Sequence, residues 1–332
     1  MPVQITLIGL GRRGGSIGLA LKSKSREMQI VGHDREPAIA KAAQSRGAID
    51  RVEWNLPRAC ERADLVIVAA PLTGVRETFS AVNDSLRPDC VVATLAPLLA
   101  PPLAWAAELL PSHVHFVAGN FAANPDMLSD RATGIQAARA DLFEKGLWAI
   151  APAPACAPAA VKLVTDLATL LGASPLYIDP AEHDGLSASV EVVPALTAIA
   201  LVRAATQTPG WRERRKMTDR DFAALTAPAD ADPAGRRATL DLNRENVLRA
   251  LDATLAELNA LRAALADDKS EELDRLIQEA LEARGKWLVE RTTGDWAMLE
   301  LPVAEMPKPG DFLGNLIGLR RRSDKVTAEK KG

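Results

Sequence analysis

Residues 3–21, VQITLIGLGRRGGSIGLAL, constrain the fold of this chain more than any other stretch. An apolar run typical of a strand leads into a glycine-rich turn, and apolar residues at helical spacing follow the turn. In this strand-turn-helix, Gly9 makes the bend, Gly11 lets a pyrophosphate approach the backbone, and Gly14 allows helix and strand to pack closely. The N–H groups at the start of such a helix bind phosphate, so the stretch predicts a dinucleotide site.

An acidic residue at the right distance strengthens this interpretation, because a GxGxxG pattern also occurs in turns that serve only packing. Asp34 lies 20 residues beyond Gly14, at the end of a second strand-like run, where a carboxylate accepts hydrogen bonds from ribose hydroxyls. A carboxylate there favours NAD, since it repels the 2′-phosphate of NADP. Arg12, Arg13 and Arg35 leave NADP open, because each guanidinium is able to pair with an extra phosphate.

The composition is that of a globular protein. Of the 332 residues, 48% are hydrophobic and 25% are charged, and the formal net charge is −3. This length accommodates two domains, and the charge balance provides no basic surface for nucleic acid. The three cysteines are far apart and form no CxxC pair, so we expect neither a disulfide framework nor a metal site. The first apolar run precedes the arginines, the wrong order for a signal peptide, and prolines break the uncharged run 90–107, so we expect a cytoplasmic protein without a membrane span.

Helix-like and strand-like segments alternate through the first half of the chain, which predicts a parallel sheet covered on both faces. One buried strand ends in a loop at Ala70 and Pro71, which the doubly wound rule places on the nicotinamide side of a cofactor. We therefore predict an α/β fold, with a Rossmann-type doubly wound parallel sheet in residues 1–179. An all-α domain in residues 180–300 and a basic tail in residues 301–332 follow it.

Two segments of the second half are strongly apolar. Residues 186–205 are apolar almost all round, which in a helix indicates burial against other helices or another subunit. Residues 239–265 repeat leucine and valine at helical spacing with charges opposite, and we expect this stripe to form core. The basic tail predicts a solvated segment, with binding to an anionic surface as the alternative.

An ordered series of short motifs runs along the chain. The motifs are IGLGRRGGSIGLALK at 8–22, HDREP at 33–37, ADLVIVAAP at 63–71, ADLFEKGLW at 140–148, EHDGLSA at 182–188 and LDLNRENVLRAL at 240–251. Together they resemble the prephenate/arogenate dehydrogenase family of tyrosine biosynthesis. The resemblance implies a homodimer joined through the helical domain and NAD(P)-dependent oxidative decarboxylation of a cyclohexadienyl carboxylate. In that reaction a hydride leaves the ring carbon that bears the hydroxyl, carbon dioxide departs as the ring aromatises, and a histidine takes the hydroxyl proton.

Several residues depart from the pattern that the resemblance implies. The family's histidine belongs in a turn after the sixth strand, where this chain has Asn120, and an amide takes no proton at neutral pH. Apolar residues also replace the family's polar ones within 94–100 and 191–195. Of the four histidines, His183 leaves a catalytic role open, with a helix-start or interface role as the alternative. Glu191, on a helix expected to be buried, is a second candidate, with an ion pair at a dimer seam as its alternative.

Arg220 and Arg244 are candidates to bind a substrate carboxylate in bidentate fashion, and surface salt bridges are the alternative for both. Two hypotheses follow. The first is an NAD(P)-dependent oxidoreductase with a small carboxylate substrate, whose standard reaction is weakened by loss of the base. The second is a catalytically silent, dinucleotide-binding dimer with a sensing or partner-binding role. A hydroxyacid or imine-reducing dehydrogenase ranks lower, because residues 186–200 offer only Glu191 in place of the lysine or aspartate that such enzymes direct at the nicotinamide.

Overall fold

The computed structural model describes residues 3–24, 27–230, 232–294 and Gly314. The chain divides into two compact units, one of residues 1–180 with 287–332 and the other of residues 181–286. Apart from Gly314, the basic tail predicted for residues 301–332 lies outside the described residues.

The first unit is built on one eight-stranded sheet. Its strands are β1 (Val3–Ile8), β2 (Met28–His33), β3 (Arg51–Val52), β4 (Leu65–Val68), β5 (Val91–Thr94), β6 (His115–Ala122), β7 (Leu147–Pro152) and β8 (Ser174–Tyr177). They lie in the order β3-β2-β1-β4-β5-β6-β7-β8. Strands β1 to β6 are parallel, β7 runs antiparallel to β6, and β8 is parallel to β7. The order of the first six strands is that of a doubly wound dinucleotide-binding sheet, which confirms the predicted fold class.

Helices cover both faces of this sheet. They are α1 (Arg12–Lys24), α2 (Pro37–Ser45), α3 (Leu56–Cys60), α4 (Leu72–Val82), α5 (Ala100–Leu109) and α6 (Pro158–Leu170). One buried cluster joins Leu7 of β1 to Leu21 and Leu167 of the helices, and a second joins Val68 of β4 to Phe79. Because neighbouring residues of a strand face opposite sides, strands buried on both faces are apolar at nearly every position.

The second unit is helical. Its elements are α7 (Pro180–Ser187), α8 (Val193–Thr206), α9 (Trp211–Arg214), α10 (Arg220–Thr226), α11 (Pro233–Leu242), α12 (Arg244–Ala266) and α13 (Ser270–Thr293), of which α13 continues into the first unit. A π-helical turn at Ala188–Val192 interrupts the apolar run predicted at 186–205. Pro194 follows in the first turn of α8, directly after this π-helical turn. Among the described residues, Pro180–Thr206 is long and apolar enough to cross a membrane, but length and composition alone are weak evidence of a span.

The leucine stripe predicted at 239–265 is not core in the single chain. Asn243 separates α11 from α12, and Val247 is buried, whereas all the later leucines of α12 except the half-buried Leu251 are exposed. These exposed residues are Leu248, Leu255, Leu258, Leu261 and Leu265. The prediction is therefore wrong for one protomer, because helical spacing reveals an apolar face without revealing what covers it. A large exposed apolar face of this kind marks a surface for another molecule.

Candidate functional site

The turn between β1 and α1 places each of its glycines under a different constraint. Gly9 has a φ of 85°, a left-handed conformation that favours glycine. A Cβ on Gly14 would lie 1.9 Å from the carbonyl oxygen of Gly9, so a larger residue forces helix and turn apart. A Cβ on Gly11 would meet nothing within 4 Å. The backbone is therefore open to a ligand at Gly11.

The charges around this turn suit a diphosphate and a ribose. Helix α1 has 13 residues and no acid in its first turn, so none of its own first-turn side chains neutralises the positive end of its dipole. Asp34 follows β2, and its two carboxylate oxygens accept hydrogen bonds from the Leu10 N–H at 2.7 Å and the Glu36 N–H at 2.9 Å. A carboxylate has about four lone-pair sites, so Asp34 is fixed beside the turn and still able to accept from ribose hydroxyls.

The loop after β4 lies against the same turn. A Cβ on Gly9 would be 2.9 Å from the carbonyl carbon of Ala69 and 2.9 Å from the nitrogen of Ala70. Pro71 then caps α4, which begins at Leu72. The structure thus brings together Gly9 and Ala70, which the sequence had assigned separately to the phosphate turn and to the nicotinamide side.

Each of the three arginines near the turn contacts another part of the protein. Arg12 donates to the backbone oxygens of Asp130 and Ala132 at 3.1 and 2.8 Å, and it pairs with the Asp130 carboxylate at 2.8 Å. The guanidinium of Arg13 lies over the ring of Phe121, 5.1 Å from its centroid. Arg12 therefore ties the loop at residues 130–132 to the start of α1.

The third arginine, Arg35, forms an ion pair with Glu77 of α4. Both side chains are exposed, so the pair adds little to stability. It nevertheless decides where the guanidinium next to Asp34 points.

Asn120 lies inside strand β6, where it pairs with Ala149 of β7. The expected turn at this position is wrong, because antiparallel pairing with β7 extends β6 to Ala122. Asn120 is 4% exposed, and its Oδ1 accepts a hydrogen bond from the Phe121 N–H at 2.9 Å. The amide is able to donate and accept hydrogen bonds but does not act as a base.

His183 and Glu191 both lie in the second unit. His183 is buried, and its Nδ1 is 3.0 Å from Oδ1 of Asp184. The backbone oxygen of Asp184 accepts a hydrogen bond from Asn243 Nδ2 at 2.7 Å. Glu191 is exposed in the single chain, and its Oε2 accepts from Ser187 Oγ at 3.4 Å.

Arg220 and Arg244 each pair with a neighbouring aspartate. Arg220 Nε lies 3.7 Å from Oδ1 of Asp221, and Arg244 Nη2 lies 3.3 Å from Oδ1 of Asp241. Their side chains are 91% and 68% exposed, as surface ion pairs are. A role for either in binding a substrate carboxylate stays a prediction.

Sequence reasoning missed three charged residues of the first unit. Asp130 and Glu77 hold Arg12 and Arg35, from which they are 118 and 42 positions distant. Arg291 is buried, donates to the backbone oxygens of Ala123 and Lys145, and has a pKa lowered by desolvation. No local sequence pattern distinguishes these three from the other charged residues, because the partner of each lies far away in the chain.

Comparisons with known proteins match both parts of the chain. The nucleotide-binding domain of the prephenate dehydrogenase family matches residues 17–176, and the dimerization domain of that family matches residues 179–279. The first match begins within α1, after the glycine turn. Prephenate dehydrogenase of Bacillus subtilis (strain 168) is 26% identical over 282 residues, which are 84% of this chain and 75% of that protein. Cyclohexadienyl dehydrogenase of Zymomonas mobilis is 23% identical over 292 residues, 84% of this chain and 94% of that protein.

Solved structures share the same architecture. Prephenate dehydrogenase from A. aeolicus, in complex with hydroxyphenyl propionate and NAD+, has a TM-score of 0.77 at 23% identity, over 86% of this chain and 98% of that chain. Synechocystis arogenate dehydrogenase has a TM-score of 0.70 at 20% identity, over 86% of this chain and 100% of that chain. At these identities the likeness shows the fold, while the two domain matches, in order along the chain, show the family. This chain belongs to the prephenate dehydrogenase family.

Proposed function

We propose that this chain is an NAD-dependent oxidoreductase of the prephenate dehydrogenase type whose standard reaction is slow. The observation that supports NAD binding is the cradle around the first turn, in which Gly14 leaves no room for a Cβ, Gly11 leaves the backbone open and Asp34 is fixed beside them. The family's nucleotide-binding domain, matched over residues 17–176, supports the same assignment.

Each part of a dinucleotide has a partner in this cradle. The N–H groups at the start of α1 suit the diphosphate, and Asp34 suits the adenosine ribose. Ala70 and Pro71 belong on the nicotinamide side, at the carboxyl end of β4. NAD supplies the hydride acceptor when it is bound, and the side chains of this protein must supply the proton acceptor and hold the substrate.

This chain differs from the standard reaction in the residue that accepts the hydroxyl proton. As hydride leaves the ring carbon, its hydroxyl proton passes to a base. The electrons of the breaking bond to the carboxylate aromatise the ring, carbon dioxide is released, and the phenolate oxygen that results takes a proton back. We infer that Asn120 occupies the place of the histidine that takes the hydroxyl proton. Asn120 is able to orient the hydroxyl but not to accept its proton, and losing a positioned base costs about 10²–10⁴ in rate. His183 and Glu191 stay predictions for a substitute.

We infer that the protein is a homodimer joined through its helical unit. The dimerization domain match over residues 179–279 supports this assembly, and so do the exposed leucines of α12. Leu258 is 52% exposed in the single chain, so a substitution there tests whether α12 lies in the dimer interface. Leu258→Glu should shift the sedimentation profile from dimer toward monomer, and an unchanged dimer places the interface elsewhere. The cytoplasmic location and the small carboxylate substrate stay predictions.

The experiment that tests this function has two parts. Calorimetric titration of the purified protein with NAD should show binding, and binding of neither NAD nor NADP refutes the proposal. Absorbance at 340 nm is then followed with prephenate, arogenate and a panel of 2-hydroxy acids. We expect slow NADH formation with a cyclohexadienyl substrate, whereas formation with a 2-hydroxy acid alone assigns the chain to another reaction.

One observation favours a second function, that of a dinucleotide-binding dimer without turnover. The segment after β5 buries Ala96 and Leu98 against Leu72, in a place where the family resemblance led us to expect polar side chains. An apolar floor excludes water but offers no group to hold a charged substrate. NAD binding without NADH formation from any substrate of the panel is the result that supports this second function.

A further inference from the structure

The sequence leaves the choice between NAD and NADP open at two adjacent residues, Asp34 and Arg35. An acid at the end of β2 accepts hydrogen bonds from the ribose of NAD, while a nearby arginine accommodates the 2′-phosphate of NADP. We propose that Glu77, on α4, is a specificity-determining residue that favours NAD by holding Arg35. This inference rests on the proposed function, since it concerns the same dinucleotide site.

The side chain of Arg35 extends from the end of β2 to the first turns of α4. Its Nη2 would lie 3.9 Å from a Cβ built on Gly74, and that Cβ would lie 4.0 Å from the Cβ of Ala70. The guanidinium therefore lies over Gly74, one turn before Glu77, with which it pairs. Because β1 lies between β2 and β4, Arg35 spans the sheet edge on which the glycine turn sits.

The ion pair acts on a 2′-phosphate in two ways. It occupies the guanidinium that would otherwise pair with the phosphate in bidentate fashion. It also adds a carboxylate to a corner that already contains Asp34 and the exposed Glu36. Three carboxylates then stand against one guanidinium, and a phosphate monoester brings about two further negative charges at neutral pH. NAD carries no such group, so its affinity is little affected.

The other candidate cations beside the turn do not replace Arg35. Arg12 is held by Asp130 and by two backbone oxygens, and Arg13 lies over Phe121. The choice between the two nucleotides therefore depends on whether Arg35 is released.

The chain offers a matched control for Glu77. Arg76, the preceding residue of α4, pairs with Glu108 of α5 at 2.5 Å, and this pair is also exposed. Glu108→Gln removes one carboxylate from α5 in the same way that Glu77→Gln removes one from α4. Only Glu77→Gln releases Arg35.

The experiment is calorimetric titration of the full-length protein with NAD and with NADP. The wild type should bind NAD more tightly. Glu77→Gln should lower the ratio of the NADP to the NAD dissociation constant by about three- to tenfold, while Glu108→Gln leaves it within about twofold. Adding Arg35→Ala to Glu77→Gln should cancel most of the gain in NADP binding, because the released cation is gone.

Two results overturn the inference on its own. A ratio that is the same in Glu77→Gln and Glu108→Gln removes the specificity role of Glu77. A wild type that binds both nucleotides but prefers NADP also overturns it, while the assignment as a dinucleotide-dependent dehydrogenase stands. Binding of neither nucleotide by the folded wild type instead refutes the proposed function itself, so the two failures are distinguishable. Thermal unfolding of each variant confirms that it is folded before titration.

Discussion

The glycines of the first turn allow ligand approach to be separated from packing. Gly11→Ala places a methyl group where the structure has open space, whereas Gly14→Ala places one 1.9 Å from the carbonyl oxygen of Gly9. The first methyl group lies in the way of a diphosphate and touches no protein atom. The second collides with backbone, which no side-chain rotation relieves.

The two substitutions should change the free energy of unfolding in opposite directions. Overpacking of the Gly14→Ala type costs about 1–3 kcal/mol, and each kcal/mol lowers the melting temperature of a domain of this size by about 2–4 °C. Gly11 does not have a left-handed φ, so Gly11→Ala should stabilise the fold by about 0.4–1 kcal/mol through the unfolded chain. NAD affinity should nevertheless fall about tenfold or more in Gly11→Ala, because the backbone no longer meets the diphosphate.

The assay combines thermal unfolding, followed by circular dichroism, with calorimetric titration of NAD. Gly18→Ala is the control, since its methyl group would lie 2.1 Å from the backbone oxygen of Ala48, within the fold and away from the turn. It should lose stability and keep NAD affinity. Wild-type NAD affinity in Gly11→Ala would contradict a diphosphate contact at Gly11, and a wild-type melting temperature in Gly14→Ala would contradict the predicted collision.

Three further predictions concern the first unit. Asp64 is buried and paired with Arg87, so Asp64→Asn should cost about 3–5 kcal/mol in urea unfolding, and a loss below 1 kcal/mol contradicts this. Arg12→Met should speed tryptic cleavage after Arg131, because Arg12 holds the backbone on both sides of that residue; unchanged cleavage shows that the contact does not order the loop. Burial raises the pKa of Cys60 to about 12, above the ordinary value of about 9 that the thiol recovers on unfolding. As the pH rises, the Cys60 thiol therefore loses its proton first in the unfolded chain. Its contribution to the free energy of unfolding is complete below about pH 9 and is lost as the pH rises toward 12. Cys60→Ala should flatten that fall between pH 9 and 10.5, and an equally steep fall refutes the assignment.

The cofactor cradle could be predicted because its determinants are local. Gly9, Gly11 and Gly14 are close together in sequence, and each has a steric reason that the structure reproduces. Asp34 lies at a distance that one βαβ unit fixes. The α/β class followed from alternating patterns, and the right-handedness of crossover connections limits the strand orders that such a chain adopts.

Features that depend on distant partners could not be predicted. Asn120 lies in a strand rather than a turn because β7 pairs with it, and no pattern around residue 120 encodes that pairing. Arg35 and Glu77 are likewise brought together only by the fold. The stripe of α12 was recognised as apolar, but helical spacing does not reveal that most of its leucines are exposed in the single chain.

The role of position 120 is tested most directly by the rate of NADH formation from prephenate at saturating NAD, measured in the wild type and in Asn120→His. If the NAD site is intact and only the base is missing, the folded variant should exceed the wild type by about 10² or more. A wild type that turns over prephenate as fast as Asn120→His contradicts the claim that position 120 lacks the base. Absence of turnover in both, with NAD bound, supports the silent dinucleotide-binding dimer instead.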